Sequence, residues 1–122
     1  KQLKEVVKNG PVLICRYKES HCPACVDFAM LKIQNMADSF PHNRIVILAQ
    51  YEENRLFRHY NRQHNPKQLS AFNVGTLNTP IAAPYYCILH EDLSIGDVFI
   101  PEKALPDLTT LYLRLVSKKF KP

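Results

Sequence analysis

The stretch PVLICRYKESHCPACVDFAM, residues 11–30, decides how this chain folds. It begins with Pro11-Val12-Leu13-Ile14-Cys15-Arg16-Tyr17, a short apolar run behind the breaker Asn9-Gly10. A run of this kind after a breaker reads as a buried strand. Polar residues follow, and then His21-Cys22-Pro23-Ala24-Cys25 opens a helical pattern. Val26, Ala29, Met30, Ile33, Ala37 and Phe40 recur at steps of three and four, which makes one apolar face. Pro41 closes the segment.

Upstream, Leu3, Val6 and Val7 have helical spacing within residues 2–9. Downstream, Ile45-Val46-Ile47-Leu48-Ala49 reads as a second buried strand. Residues 53–64 predict a basic amphipathic helix with Leu56, Phe57 and Tyr60 inward. Residues 65–83 are irregular, punctuated by Pro66, Gly75 and Pro80, and are either a functional insertion or hide a short helix near 66–72. Tyr85-Tyr86-Cys87-Ile88-Leu89 and residues 94–100 flank a His90-Glu91-Asp92-Leu93 turn, the pattern of a β-hairpin. Pro106 starts a last helix, with Leu108, Leu111, Tyr112, Leu115 and Val116 as its apolar face and Lys118 and Lys119 at its end. The order predicts an α/β fold: a mixed central sheet, with a parallel pair and an antiparallel hairpin, and helices on both faces.

A chain of 122 residues, 46% hydrophobic, predicts a single domain over residues 1–122 and excludes a disordered protein. No run of 18 apolar residues is present, so no membrane span is expected. KQLKEVVKNG lacks a signal-peptide apolar region, which leaves a cytosolic chain or the mature part of an exported one. The net charge of +5 is spread over Arg55, Arg58, Arg62, a Lys118-Lys119-Lys121 tail and scattered lysines. That reads as a solvated surface; no nucleic-acid module or aromatic-laced basic stripe accompanies it, so no nucleic-acid partner is expected. A monomer is expected.

The four cysteines stand at 15, 22, 25 and 87. Only one C-x-x-C is present, and a zinc site would need Cys15, Cys87, His90 or His21 to complete it. Strand positions scatter those residues, so no metal is expected. Cys15 and Cys87, in mid-strand, read as buried reduced thiols, with a second redox pair as the sharper alternative. His42, His59 and His64 read as solvated residues.

Cys22 stands at the strand-to-helix junction, where Pro23 presets the first turn. Unpaired N–H groups there favour negative charge by about 0.3–1 kcal/mol, and up to about 2 when partly buried. One pKa unit corresponds to about 1.36 kcal/mol. Such a shift moves a thiol from about 8.5 toward about 7 and raises the thiolate fraction at neutral pH from about 3% to about half. Only the thiolate attacks disulfides, so a nucleophile belongs at this position. Cys25 points the same way and continues the apolar face, so it should be the more buried. Cys22 then attacks a substrate disulfide and Cys25 resolves the mixed disulfide. His21, when protonated, would further stabilise the thiolate.

These residues resemble the thioredoxin-like superfamily. The matching pieces are the strand at 12–17, the motif His21-Cys22-Pro23-Ala24-Cys25 opening a long helix, and Ala83-Pro84 just before the strand at 85–89. The resemblance spans residues 11–120 and implies a three-layer thioredoxin-like fold. It also implies a cis-proline at Pro84 packed against the active-site sulfurs, and substrate pairing with the Ala83 backbone. Pro80 lies too far ahead of the strand for that role. With Tyr85, His21 and Pro23 these form the expected substrate-binding set. More loosely, the chain resembles extracytoplasmic proteins of the TlpA and ResA kind, particularly lipoprotein-associated versions in Bacteroidetes, which implies a periplasmic location.

Two departures stand out. His21 replaces the Trp that many thioredoxins carry before the first cysteine. Arg16, six residues before Cys22, occupies the place of the buried acid that helps deprotonate the second cysteine, so that role is unfilled or passes to Glu19 or another carboxylate. Pro23-Ala24 with His21 adjacent suggests a disulfide more oxidising than the about −270 mV of thioredoxin. A peroxiredoxin-type peroxidase wants Thr or Ser three residues before its reactive cysteine, and Glu19 stands there. The expectation is a thiol–disulfide oxidoreductase acting on protein or peptide disulfides through Cys22 and Cys25, with no bound cofactor. The alternative is a non-catalytic interaction module in which the dithiol is structural or vestigial, docking through the basic helix around residues 55–62 or through residues 65–83.

Overall fold

In the computed structural model, which describes residues 3–74 and 81–120, the chain forms α1 (Leu3–Val6), β1 (Val12–Lys18), α2 (Pro23–Asn35), β2 (Ile45–Gln50), α3 (Asn54–His64), β3 (Ser70–Asn73), β4 (Tyr85–Leu89), β5 (Ile95–Phe99) and α4 (Pro106–Lys119). The strands make one mixed sheet in the order β3-β2-β1-β4-β5. The apolar run after Gly10 becomes the central strand because it has a partner on each side. β2 lies parallel to it, with Cys15 opposite Ile47, and β4 lies antiparallel, with Cys15 opposite Tyr86.

The pleat sends alternate residues of β1 into two separate layers. Leu13, Cys15 and Tyr17 join Ile47, Tyr86 and Ile88 beneath Val26, Ala29, Met30 and Ile33 of α2 and Leu113 and Val116 of α4. Leu56 and Phe57 of α3 pack on this layer while half-buried, and Tyr60, expected inward, is exposed. The opposite face gathers Val12, Ile14, Leu48, Tyr85, Cys87 and Leu89, covered by Val6 and Val7 at the N-terminal end and by Val74 and Ile81. Helices therefore lie on both faces: α2, α3 and α4 on one, the short α1 on the other.

Three local expectations change. α1 is one turn rather than a helix over residues 2–9. The segment after α3 holds an edge strand, β3, parallel to β2, rather than a helix near 66–72. Four half-exposed residues carry too little alternation to announce a strand. Asn73 anchors it, accepting from the Tyr51 N–H at 2.8 Å and donating to the Tyr51 carbonyl at 3.1 Å. Gly75, Pro80 and Lys121 lie outside the described residues.

The third change concerns α4. Its buried residues are Thr109, Leu113, Val116 and Ser117, whereas Leu108, Leu111 and Leu115 are 49%, 45% and 52% exposed. Leucines stand on more than one side of this helix, so spacing alone supports more than one apolar stripe. Tyr112 sets the rotation: its ring stacks on Phe99 at 4.6 Å, and its hydroxyl donates to the Asp97 carbonyl at 2.6 Å.

Gly10 has φ +121, and a Cβ there would come 2.5 Å from Arg44 Nη1. That guanidinium donates to the carbonyls of Asn9 and Pro11, both at 2.6 Å, and ties the turn before β1 to the residue before β2. Gly10→Ala is expected to destabilise the fold by about 1–2 kcal/mol, because both the backbone conformation and the clamp are lost. Urea unfolding of the two proteins measures the difference.

Candidate active site

α2 begins where the sequence places it. Cys22 is its N-cap and Pro23 occupies the first turn. The Cys22 Sγ accepts the Cys25 N–H at 3.2 Å, so the sulfur partners one of the backbone donors that open a helix. Cys22 is exposed and Cys25 half-buried, and both are free thiols, in the order of burial expected of nucleophile and resolving thiol.

The two thiols are driven apart electrostatically. A hydrogen bond from the Cys25 thiol lowers the Cys22 pKa, the N–H groups of Cys25 and Ala24 lower it further, and the Lys103 ammonium adds to the effect. The same hydrogen bond raises Cys25, and its neighbour's negative charge adds to the rise. One thiol is thus poised to ionise while the other holds its proton.

Lys103 was not legible in the sequence. It belongs to the loop between β5 and α4, nearly eighty residues from the dithiol, and looks there like any exposed lysine. Lys103→Ala should slow iodoacetamide labelling of Cys22 at pH 7, move its pH profile toward higher pH, and lose that difference in high salt. Stopped alkylation with mass analysis of the Cys22 peptide reads all three effects.

His21 takes a different role from the one expected. It is only 7% exposed, and its Nδ1 accepts the Lys18 N–H at 3.0 Å, which puts the ring proton on Nε2. Burial lowers its pKa, Lys18 and Arg16 lower it further, and a backbone hydrogen bond with Ile81 opposes them. A neutral, buried ring places no positive charge beside the thiolate. Through Nδ1 it instead braces the turn before Cys22 against the end of β1.

Arg16 is also buried, at 1% exposure, on the face away from α2. Its guanidinium donates to Gln50 Oε1 at 2.8 Å and, at 3.5 Å, to the carbonyls of Tyr17 and Leu48. Burial lowers its pKa, and Tyr85 opposes that. Glu19, the candidate to replace the missing acid, accepts the Glu52 N–H at 3.2 Å and does not act on Cys25.

The register Arg16↔Tyr85 brings Pro84 level with Tyr17, at the end of β1 that runs on to the dithiol. Pro84 is fully buried and Ala83 half-buried. No peptide bond is cis among the described residues, so Ala83–Pro84 is trans, unlike the isomer that the resemblance implied and in line with the ordinary preference of an X–Pro bond. Tyr86 lies on the α2 face, its hydroxyl donating to the Ala29 carbonyl at 2.5 Å. Tyr85 is buried beside Arg16 on the other face. Neither tyrosine stands open toward solvent.

A cleft of about 460 Å³ opens beside the dithiol, lined by His21 and Pro23 on either side of Cys22 in sequence and by Glu19, Asp27, Tyr60 and His64. His64, expected to be solvated, bonds Asp27 Oδ1 through Nε2 at 2.7 Å. Among the described residues no three His, Cys, Asp or Glu side chains are grouped to hold a metal ion. Cys15 and Cys87 enter opposite layers, so the second redox pair fails on direction alone. Burial pushes their pKa values up to about 12 and about 11, as for inert core thiols.

No protein-family model matches the chain, and no curated protein sequence does. Solved structures do. A chain described as a thiol-disulfide oxidoreductase from Bacteroides vulgatus superposes with a TM-score of 0.60 at 14% identity, over 94% of this chain and 79% of that one. Peroxidoxin BcpB from Mycobacterium tuberculosis gives 0.60 at 16%, over 95% and 86%. A secreted disulfide oxidoreductase of the same organism, homologous to E. coli DsbE, gives 0.51 at 12%, over 84% and 81%. The shared property is the fold, which is thioredoxin-like.

Proposed function

We propose that a thioredoxin-like fold opening its first long helix on this dithiol is a thiol–disulfide oxidoreductase acting on protein or peptide disulfides. The observation that carries the reading is the opposed pair of thiols, Cys22 lowered and exposed, Cys25 raised and half-buried. The Cys22 thiolate attacks one sulfur of a substrate disulfide, forming a mixed disulfide and releasing the other sulfur as a thiolate. Cys25 loses its proton and attacks Cys22 Sγ, which closes the Cys22–Cys25 disulfide and frees the second substrate thiol. Two electrons pass to the substrate, and the reverse sequence oxidises a dithiol. Pro23 and Ala83, the accessible members of the expected set, form the substrate edge, with His21, Pro84 and Tyr85 buried behind it.

A peroxidase reading is disfavoured by Glu19, three residues before Cys22, where a Thr or Ser is wanted. No helix among the described residues is long and apolar enough to cross a membrane. An extracytoplasmic setting is part of the proposal, and a structural neighbour described as secreted is consistent with it. Cys25→Ser tests the division of labour. Mixed with a disulfide-bearing protein it should accumulate a covalent adduct through Cys22, reversed by dithiothreitol. Absence of the adduct would overturn the assignment of Cys25 as the resolving thiol.

A further inference from the structure

We infer that the outer face of α4 pairs antiparallel with the same face of a second copy of this chain, making a weak, concentration-dependent dimer. Leu105, Leu108, Leu111 and Leu115 are each about half exposed, at 49%, 49%, 45% and 52%. The last three recur at steps of three and four, on the side of α4 turned away from Thr109, Leu113 and Val116. Single exposed leucines are ordinary, but a continuous stripe of them over two helical turns marks a docking face. The inference departs from the monomer expected from sequence and stands apart from the redox reading.

The charges beside the stripe select the occupant. Asp107 and Arg114 lie seven residues apart on one flank of the leucines, both exposed. About a two-fold axis level with residue 110, Leu105 meets Leu115 of the second copy and Leu108 meets its Leu111. The same operation sets Asp107 beside Arg114 of the second copy, twice over, and opposes the two helix dipoles favourably. A parallel pair offers Asp107 no cation and places Arg114 against Lys119. An anionic lipid surface would meet Asp107 next to Leu108. Two helix faces bury less than the about 1,200 Å² of standard interfaces, so the association is weak.

Sedimentation velocity of the reduced chain from about 5 μM to about 1 mM tests the pairing. The weight-average mass should rise toward that of a dimer. Leu111→Glu should remain monomeric throughout, with an unchanged circular dichroism spectrum and unchanged disulfide exchange. Asp107→Arg and Arg114→Asp should each weaken self-association about tenfold or more, since both intermolecular pairs become repulsive. Mixed together, these two variants should associate with each other, because both pairs are then attractive. A chain that stays monomeric at the highest concentration overturns the inference. So does a dimer indifferent to Leu111→Glu, or charge variants that fail to recover on mixing.

Discussion

Cys22→Ser is expected to lower turnover of a protein disulfide by at least about 10³-fold, while leaving the fold intact. The magnitude follows from the chemistry: a hydroxyl at the same helix start stays protonated at neutral pH and leaves no sulfur nucleophile. The side chain is exposed, so little packing is lost. Insulin reduction by dithiothreitol, followed by turbidity, measures the effect, with Cys15→Ser and Cys87→Ser as controls. Those controls should keep their turnover and lose stability instead, since both thiols are core residues. Equal rates for Cys22→Ser and the parent would remove the enzymatic reading and leave an interaction module. The rate of the parent should rise with pH as Cys22 ionises and level off below the usual thiol range, because Cys25, the backbone N–H groups and Lys103 all favour the thiolate.

The second large effect separates two leucines on one helix. Leu113 is 0% exposed, beneath α4 and against the sheet. Leu113→Ala is expected to cost about 2–5 kcal/mol through lost burial and the cavity left behind. A cost of about 3 kcal/mol lowers the Tm of a chain this size by roughly 10–15 °C. Leu111→Ala, two residues away and 45% exposed, is expected to change the stability of the monomer by less than about 0.5 kcal/mol. Thermal unfolding of the two variants at low concentration compares them directly. A larger loss at Leu111 would mean that the helix is rotated from the position described.

That pair of leucines shows where reading the chain succeeds and where it stops. Except for β3, the element order came through from local signals: breakers at Gly10 and Pro41, apolar runs for β1 and β2, the 3.6-residue period for α2, Pro106 for the start of α4. Which side of α4 is buried did not come through. Leu108, Leu111, Leu113 and Leu115 satisfy overlapping patterns, and Thr109 lies inside while three leucines lie outside. β3 escaped notice because a half-exposed edge of four residues has almost no pattern to display.

The candidate site divides in the same way. A strand, a breaker and Cys-Pro-Ala-Cys at a helix start are contiguous, so local backbone physics suffices to place Cys22 on free N–H donors and Cys25 one turn behind it. Residue spacing determined that much without any neighbour. Lys103, the neutral burial of His21, the opposed directions of Cys15 and Cys87 and the outward leucines of α4 were settled only when distant segments packed together. Charge, desolvation and facing depend on what approaches through space, and one-dimensional spacing carries no record of it.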